Sequence, residues 1–279
     1  MAENKGSNAS YWNMTAKKTV FGQDFDVLMA EQYRHVHLKL INKWTNLSRA
    51  RAILKTDLFA EALCPERAFL WDIMKTNRNV TAMDISREIC SSARNVASLY
   101  VSRRIPKIVN CDIRKLPFAD NSFDLIISDS TLDHYKNASD ILLSLKELNR
   151  VLIPGGSLII TMDNESNVTE PFFRFWIHLG LAQFYIGKTY SMPELKQALE
   201  KIGFSIRADA AIMHNPRFFT KVAVRLIRLL SGDKGSPQIR KLLRTFDNLE
   251  KRKTRFLTAQ FIAVRAIKPA RFVELSDQF

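Results

Sequence analysis

Three acids carry the first hint of chemistry. Asp84 closes the run Asn79-Val-Thr-Ala-Met-Asp84, Asp112 closes Lys107-Ile-Val-Asn-Cys-Asp112, and Asp129 closes Phe123-Asp-Leu-Ile-Ile-Ser-Asp129. Each run is short, apolar and rich in β-favouring residues, so each acid stands where a strand ends. In an open α/β sheet, ligands lie just outside the carboxyl ends of the strands. The pattern therefore predicts a fold and the edge of that fold at which a cofactor lies.

The elements needed to position these acids are legible along the chain. Apolar residues from Val27 to Ile41 predict a helix over about Asp24 to Trp44. Strands are expected at Ala52–Leu54, Asn79–Asp84, Lys107–Asn110, Phe123–Ser128, Ser157–Met162, Phe204–Ala211 and Ala259–Ile267. Between them, helices are expected over Pro65–Met74, from Ser86 as cap to Tyr100, over Ala138–Val151, and over Met192–Ile202 behind Ser191 and Pro193. Pro154-Gly155-Gly156 reads as a turn before the fifth strand. Strands alternating with helices imply a doubly wound, mostly parallel seven-stranded sheet. Residues 1–20 read as a flexible tail and 21–279 as a single domain. Two insertions are expected in it, an aromatic helical cap at about 164–190 and a basic helical segment at about 216–256.

Bulk composition narrows the class. The 279 residues are 46% hydrophobic, enough for a full core. No run reaches the ~18 apolar residues of a membrane span, and Met1 to Lys18 has no signal-like apolar stretch. Cys64, Cys90 and Cys111 lack metal-ligand spacing and are expected as reduced thiols in a cytoplasmic protein. The net charge is +14, and Arg217–Arg255 holds 12 Lys/Arg against 3 Asp/Glu. Such a segment favours an anionic substrate, an acidic membrane surface or nucleic acid, or is simply a solvated helical face. Phe218 to Leu230 reads as an amphipathic helix, with Lys221, Arg225 and Arg228 on one face and Val222, Leu226 and Leu229 opposite. It suits either a membrane surface or packing against the sheet.

The ordered set Asp84-Ile85-Ser86, Cys111-Asp112-Ile113, Leu116-Pro-Phe-Ala-Asp-Asn-Ser-Phe-Asp124 and Pro154-Gly155-Gly156 resembles the class I S-adenosylmethionine-dependent methyltransferases over roughly Ala52 to Phe204. The resemblance implies a Rossmann-like methyltransferase fold and S-adenosylmethionine as cofactor. It implies that Asp84 accepts from the ribose hydroxyls, that Asp112 meets the adenine amine, and that Ile85 and Ile113 pack on the adenine faces. The chain departs from the family after strand one. No glycine stands between Gly22 and Gly155, and Lys55-Thr-Asp-Leu-Phe59 occupies the place of the Gly-rich loop. It resembles a variant subgroup in which Thr56 and Asp57 replace that loop, Asp57 binding the methionine ammonium and Lys55 the carboxylate. Ser128 and Asp129 are expected beside the methionine end. No G-x-G-x-x-G or P-loop pattern is present, which argues against hydride transfer and P-loop chemistry.

Methyl transfer needs a base only when the acceptor must lose a proton. His134, oriented by Asp129 or Asp133, is the first candidate, and His214 the second. Local packing is the alternative for each. His35 and His37 are expected at the surface of the first helix, with a part in a lid as the alternative. The reading is methyl transfer to a small-molecule or glycan-like acceptor, with an RNA methyltransferase and a non-catalytic methyltransferase-like scaffold as alternatives.

Overall fold

The computed structural model describes residues 8–18, 26–77, 79–100, 105–178 and 185–270. The chain forms α1 (Ala9–Lys18), α2 (Val27–Trp44), β1 (Ile53–Thr56), α3 (Phe59–Leu63), α4 (Leu70–Thr76), β2 (Val80–Asp84), α5 (Arg87–Tyr100), β3 (Lys107–Asn110) and β4 (Phe123–Asp129). It continues through α6 (Ala138–Val151), β5 (Leu152–Asp163), α7 (Glu170–His178), α8 (Met192–Lys201), β6 (Ser205–Ile212), α9 (Arg217–Ser231), α10 (Ser236–Asp247), α11 (Arg255–Thr258) and β7 (Phe261–Ile267). The strands lie in the order β3-β2-β1-β4-β5-β7-β6. All pairings are parallel except those of β7, which runs antiparallel between β5 and β6. The expected doubly wound, mostly parallel seven-stranded sheet is therefore present.

Successive strand residues point to opposite faces, and both faces are covered. Ile53, Ala82, Leu125, Ile127, Ile159 and Ala263 join a core shared with α2, α4 and α5. Leu54, Met83, Ile126, Leu158, Ile160 and Val264 join a second core shared with α6 and α8. This explains why the strands read as unbroken apolar runs rather than alternating ones. Caps set several helix starts. Asp26 accepts from the Leu28 amide, Ser86 from the Ile89 amide, and Ser191 forms a reciprocal box with Glu194 ahead of Pro193.

Four expectations change. The first 20 residues are not all tail, because Ala9–Lys18 is helical and its Trp12 is buried. The helix expected from Pro65 begins only at Leu70, after the separate short α3. β5 starts at Leu152 and runs through Pro154-Gly155-Gly156, and its register on β4 shifts there to absorb them. Finally, the apolar residues of α9 do not pack on the sheet. Val224 is buried with Leu28, Ile239 and Leu243, whereas Val222, Leu226 and Leu229 face outward. Of the aromatic cap, α7 is described, while Leu179, Leu181 and Phe184 lie outside the described residues.

Candidate cofactor site

The loop after β1 solves the missing-glycine problem with an aspartate. Asp57 adopts φ of 68°, the left-handed conformation that glycine ordinarily supplies. Aspartate tolerates it because its short side chain bonds locally, and Asp57 Oδ1 accepts from the Phe59 amide at 2.6 Å. The next amide, Leu58 N, donates to Asp84 Oδ2 at 3.0 Å, and Ser86 N donates to Asp84 Oδ1 at 2.7 Å. Asp84 thus ties the end of β2 to the β1 loop and to the start of α5.

Behind this loop sits a buried ion pair. Lys55 Nζ donates to the Asp57 carbonyl at 2.6 Å and to Glu61 Oε2 at 3.1 Å, and it lies over the Phe69 ring. Glu61 also accepts from the Leu70 amide. Burial works against the Lys55 charge, but Glu61, Asp57 and Asp129 outweigh it and hold its pKa above the usual lysine value. Lys55 is therefore held by protein carboxylate and carbonyl oxygens as well as bordering the cavity.

Asp129 is a second junction. Tyr33 Oη donates to it at 2.8 Å and Thr161 Oγ1 at 2.7 Å, and His37 Nε2 lies 3.2 Å away. Burial disfavours its charge, yet His37, Lys55 and Thr161 hold it well below the ordinary carboxylate range. His37 is almost fully buried, contrary to the surface placement expected for it, while His35 is exposed. Its Nδ1 faces the Tyr33 carbonyl at 2.8 Å. A carbonyl can only accept, so Nδ1 carries a proton. The Arg67 guanidinium stacks 3.7 Å from the centre of the Tyr33 ring.

These groups converge on one cavity. It is open at its mouth, and its empty space counted out into solvent is about 920 Å³. Lys55, Asp57, Asp84, Ile85, Ile113, Asp129 and His134 all border it, as the sequence reading expects of a site. Trp12, Tyr33, Glu61, Arg67, Ser130 and Thr131 border it too, and sequence reasoning missed them as site residues. Ser130 has a positive φ of 45°, and its amide bonds back to Thr161 on β5. That sharp turn aims the β4 loop over the cavity.

The remaining expected residues are placed elsewhere. Thr56 and Ser128 bond each other at 3.1 Å and join β1 to β4 outside the cavity lining. Asp112 is held by Arg114, which donates from its backbone and through Nε and Nη2, the last at 2.6 Å. Those bonds keep the Asp112 carboxyl below its usual range despite partial burial, and it is not part of the lining. Asp133 does not orient His134. It accepts from Ser130 Oγ and from the Asp163 amide, and its Oδ1 has no hydrogen-bond partner among the described residues. His214 lies outside the cavity, with Nδ1 at Thr258 Oγ1 and Nε2 at the Ala211 carbonyl, so packing describes its place.

His134 is held by the segment that crosses over the β4 loop. Its Nδ1 lies 2.8 Å from the Tyr185 carbonyl, so Nδ1 holds the proton and Nε2 is the basic nitrogen. Gly187 allows this crossing, because a Cβ there would press into the Tyr135 carbonyl. Trp12 packs edge-on against the His134 ring at 4.8 Å.

Residues 64–160 match a family model described as "Methyltransferase domain". Demethylmenaquinone methyltransferases of several Staphylococcus aureus strains are 30% identical to the chain over 47% of its length. The match spans 59% of those relatives, less than two thirds of them. Among solved structures, N-methyltransferase NodS from Bradyrhizobium japonicum WM9, in complex with S-adenosyl-L-homocysteine, aligns with a TM-score of 0.57 at 13% identity, covering 92% of this chain and 98% of that one. The [4+2]-cyclase SpnF aligns with a TM-score of 0.56 at 18% identity, covering 95% and 94%. At such identities the structures establish the shared fold alone.

The cavity fits the family's cofactor, S-adenosylmethionine. Burial pushes the Asp57 carboxyl up to about 6 against the pull of Lys55. Burial and the neighbouring Asp57 carboxylate push Asp84 up to about 7. Two adjoining carboxylates, Asp84 buried and Asp57 half-buried, whose charge is so disfavoured suit a ligand bearing an ammonium and hydroxyl donors. Ile85, Ile113, Met83 and Ile89 add apolar lining beside them for a planar base. Motif order, sheet order and these matches give the chain a methyltransferase domain match over residues 64–160 and the fold of the class I S-adenosylmethionine-dependent methyltransferases.

Proposed function

We propose that the chain transfers a methyl group from S-adenosylmethionine to a small-molecule acceptor that enters beside Tyr33, Thr131 and His134. One observation carries this reading: residues from the ends of β1, β2 and β4, with Ile113 just beyond β3, open into a single cavity. The cofactor supplies an electrophilic methyl group on a sulfonium. Asp57 receives the ammonium, Asp84 the ribose hydroxyls, and Ile85 and Ile113 the adenine faces. Lys55 and Arg67 border the part of the cavity suited to the methionine carboxylate. The remaining work is alignment, with water kept out by Trp12 and Phe59. Where the acceptor loses a proton, His134 Nε2 receives it while Nδ1 stays bonded to Tyr185.

The identity of the acceptor follows from this geometry only as a class. The S. aureus relatives act on demethylmenaquinone by name, which favours a small organic acceptor with an acidic hydrogen over a polymer. A glycan-like acceptor falls in the same class. Calorimetry with S-adenosylmethionine and S-adenosylhomocysteine tests the cofactor half of the proposal. Saturable binding that Asp84→Asn weakens supports it, and no heat with either ligand overturns it in favour of a scaffold. The base is tested by His134→Gln, expected to lower kcat about 100-fold on a hydroxyl acceptor while cofactor affinity stays unchanged. A His134→Gln variant with wild-type kcat removes His134 from the chemistry.

A further inference from the structure

α9 presents three faces, and only one packs inside the fold. Thr220, Val224 and Ile227 point inward, Val224 and Ile227 packing with Leu28 on α2 and with Ile239 and Leu243 on α10. Lys221 and Arg225 form an exposed basic flank. The third face is apolar and open to solvent: Phe219, Val222, Leu226, Leu229 and Leu230 recur at helical spacing, with Leu229 80% and Leu230 83% exposed. α7 extends it, since Phe172 stacks on Phe219 with ring centres 5.9 Å apart and Phe175 is also exposed. Contiguous exposed apolar surface of this kind marks an interaction site.

Charge decides between occupants. The same stretch, Arg217–Arg255, carries 12 basic and 3 acidic residues. Arg240, Lys241 and Arg244 are exposed on neighbouring α10, and Lys251, Arg252 and Lys253 on the turn after it. A second copy of the chain would set this positive surface against itself. RNA would leave the leucines in water. An anionic bilayer satisfies both at once, taking the apolar face into the acyl boundary and the basic flank into the headgroups. We propose that α9 and the adjoining edge of α7 dock the protein on an anionic lipid surface.

Position gives the contact a purpose. α7 leaves the carboxyl end of β5 and α9 the carboxyl end of β6, and β5 and β6 point the same way through β7. The carboxyl ends of β1, β2 and β4 open into the cavity on that same edge. A bilayer against α9 therefore lies on the cavity's side of the sheet and can deliver an amphipathic acceptor to it. The delivery clause rests on the methyl-transfer reading, whereas docking does not.

The test is co-sedimentation of the full chain with phosphatidylcholine vesicles, with and without phosphatidylglycerol. Binding is expected only with phosphatidylglycerol and is expected to weaken as salt rises. The double variant Leu226→Glu/Leu230→Glu should lose about tenfold in vesicle partitioning with an unchanged melting temperature, since both side chains are exposed in the fold. Equal partitioning of the variant and the wild type overturns the proposal. So does absence of vesicle binding accompanied by a dimer that the variant dissolves, or by salt-sensitive RNA retention that the variant keeps. Cofactor calorimetry on the same variant separates failure of docking from failure of the methyl-transfer reading.

Discussion

The cavity and the α9 arm use their residues in opposite ways. Around the cavity, polar groups are buried and tied to one another: Asp84 to two amides, Asp129 to Tyr33 and Thr161, Lys55 to Glu61. On the arm, apolar groups are exposed, and Leu229 and Leu230 rank among the most open large apolar residues of those described. A buried polar group is costly unless partnered, and these groups meet that cost largely by bonding to one another. An exposed leucine costs little in a monomer, so the arm can keep its apolar face for a partner. The difference separates a pre-organised candidate site from a surface left open to be covered.

The largest effect should come from the sheet that supports the cavity. Ile53 is fully buried on β1, and Ile53→Ala is expected to cost about 3 kcal/mol in urea unfolding. A variant that lost under 1 kcal/mol would show that the β1 region is loosely packed. Next is Asp84→Asn, which keeps the shape and removes the charge. It should weaken S-adenosylmethionine binding by about 1.5–3 kcal/mol, or roughly 10- to 100-fold, read by calorimetry. Unchanged affinity would move the ribose contact elsewhere.

A pH series sharpens the same contrast. Asp57 and Asp84 have folded pKa values of about 6 and about 7, above the ~4 of an unfolded aspartate. The folded state therefore holds protons that the unfolded state has released. The stability these two groups contribute is fully present below pH ~4 and lost as pH rises through about 6 and 7. Cofactor binding should run the other way, strengthening across that window as the carboxylates ionise. The ligand-free protein should thus melt higher at about pH 5.5 than at about pH 8 through these groups, and Asp57→Asn/Asp84→Asn should flatten that difference. An unflattened profile would assign the dependence to other groups. The smallest effect belongs to the arm: Leu230→Ser should move unfolding free energy by less than about 0.5 kcal/mol. A larger loss would mean that Leu230 is covered in solution.

Much of the sheet was legible because its strands are buried on both faces and hence read as apolar runs. β3 and α6 fall on their expected residues, and the acids closing β2 and β4 do border the cavity. Asp112 shows the limit of such reading. Its position after β3 matched, but Arg114, two residues on, occupies its carboxylate, and a residue's partners are not written in its spacing. The missing glycine loop pointed to Lys55-Thr-Asp57 without showing how it turns. Asp57 itself takes the left-handed backbone, which its type permits and only the structure displays. Trp12, Tyr33 and Arg67 gave no local signal, because their role comes from three separate stretches of chain meeting at one edge.

By itself the sequence determined the alternation of strands and helices, the acids at the strand ends and the excess positive charge of Arg217–Arg255. Those are properties of neighbouring residues, and neighbours share local periodicity and charge. Tertiary structure decided the insertion of β7 between β5 and β6, the burial of His37 against Asp129, and which face of α9 is left open. An amphipathic helix with two apolar faces can bury either one. Contact with Leu28, Ile239 and Leu243 takes the Val224 face, and that choice leaves the leucines outside.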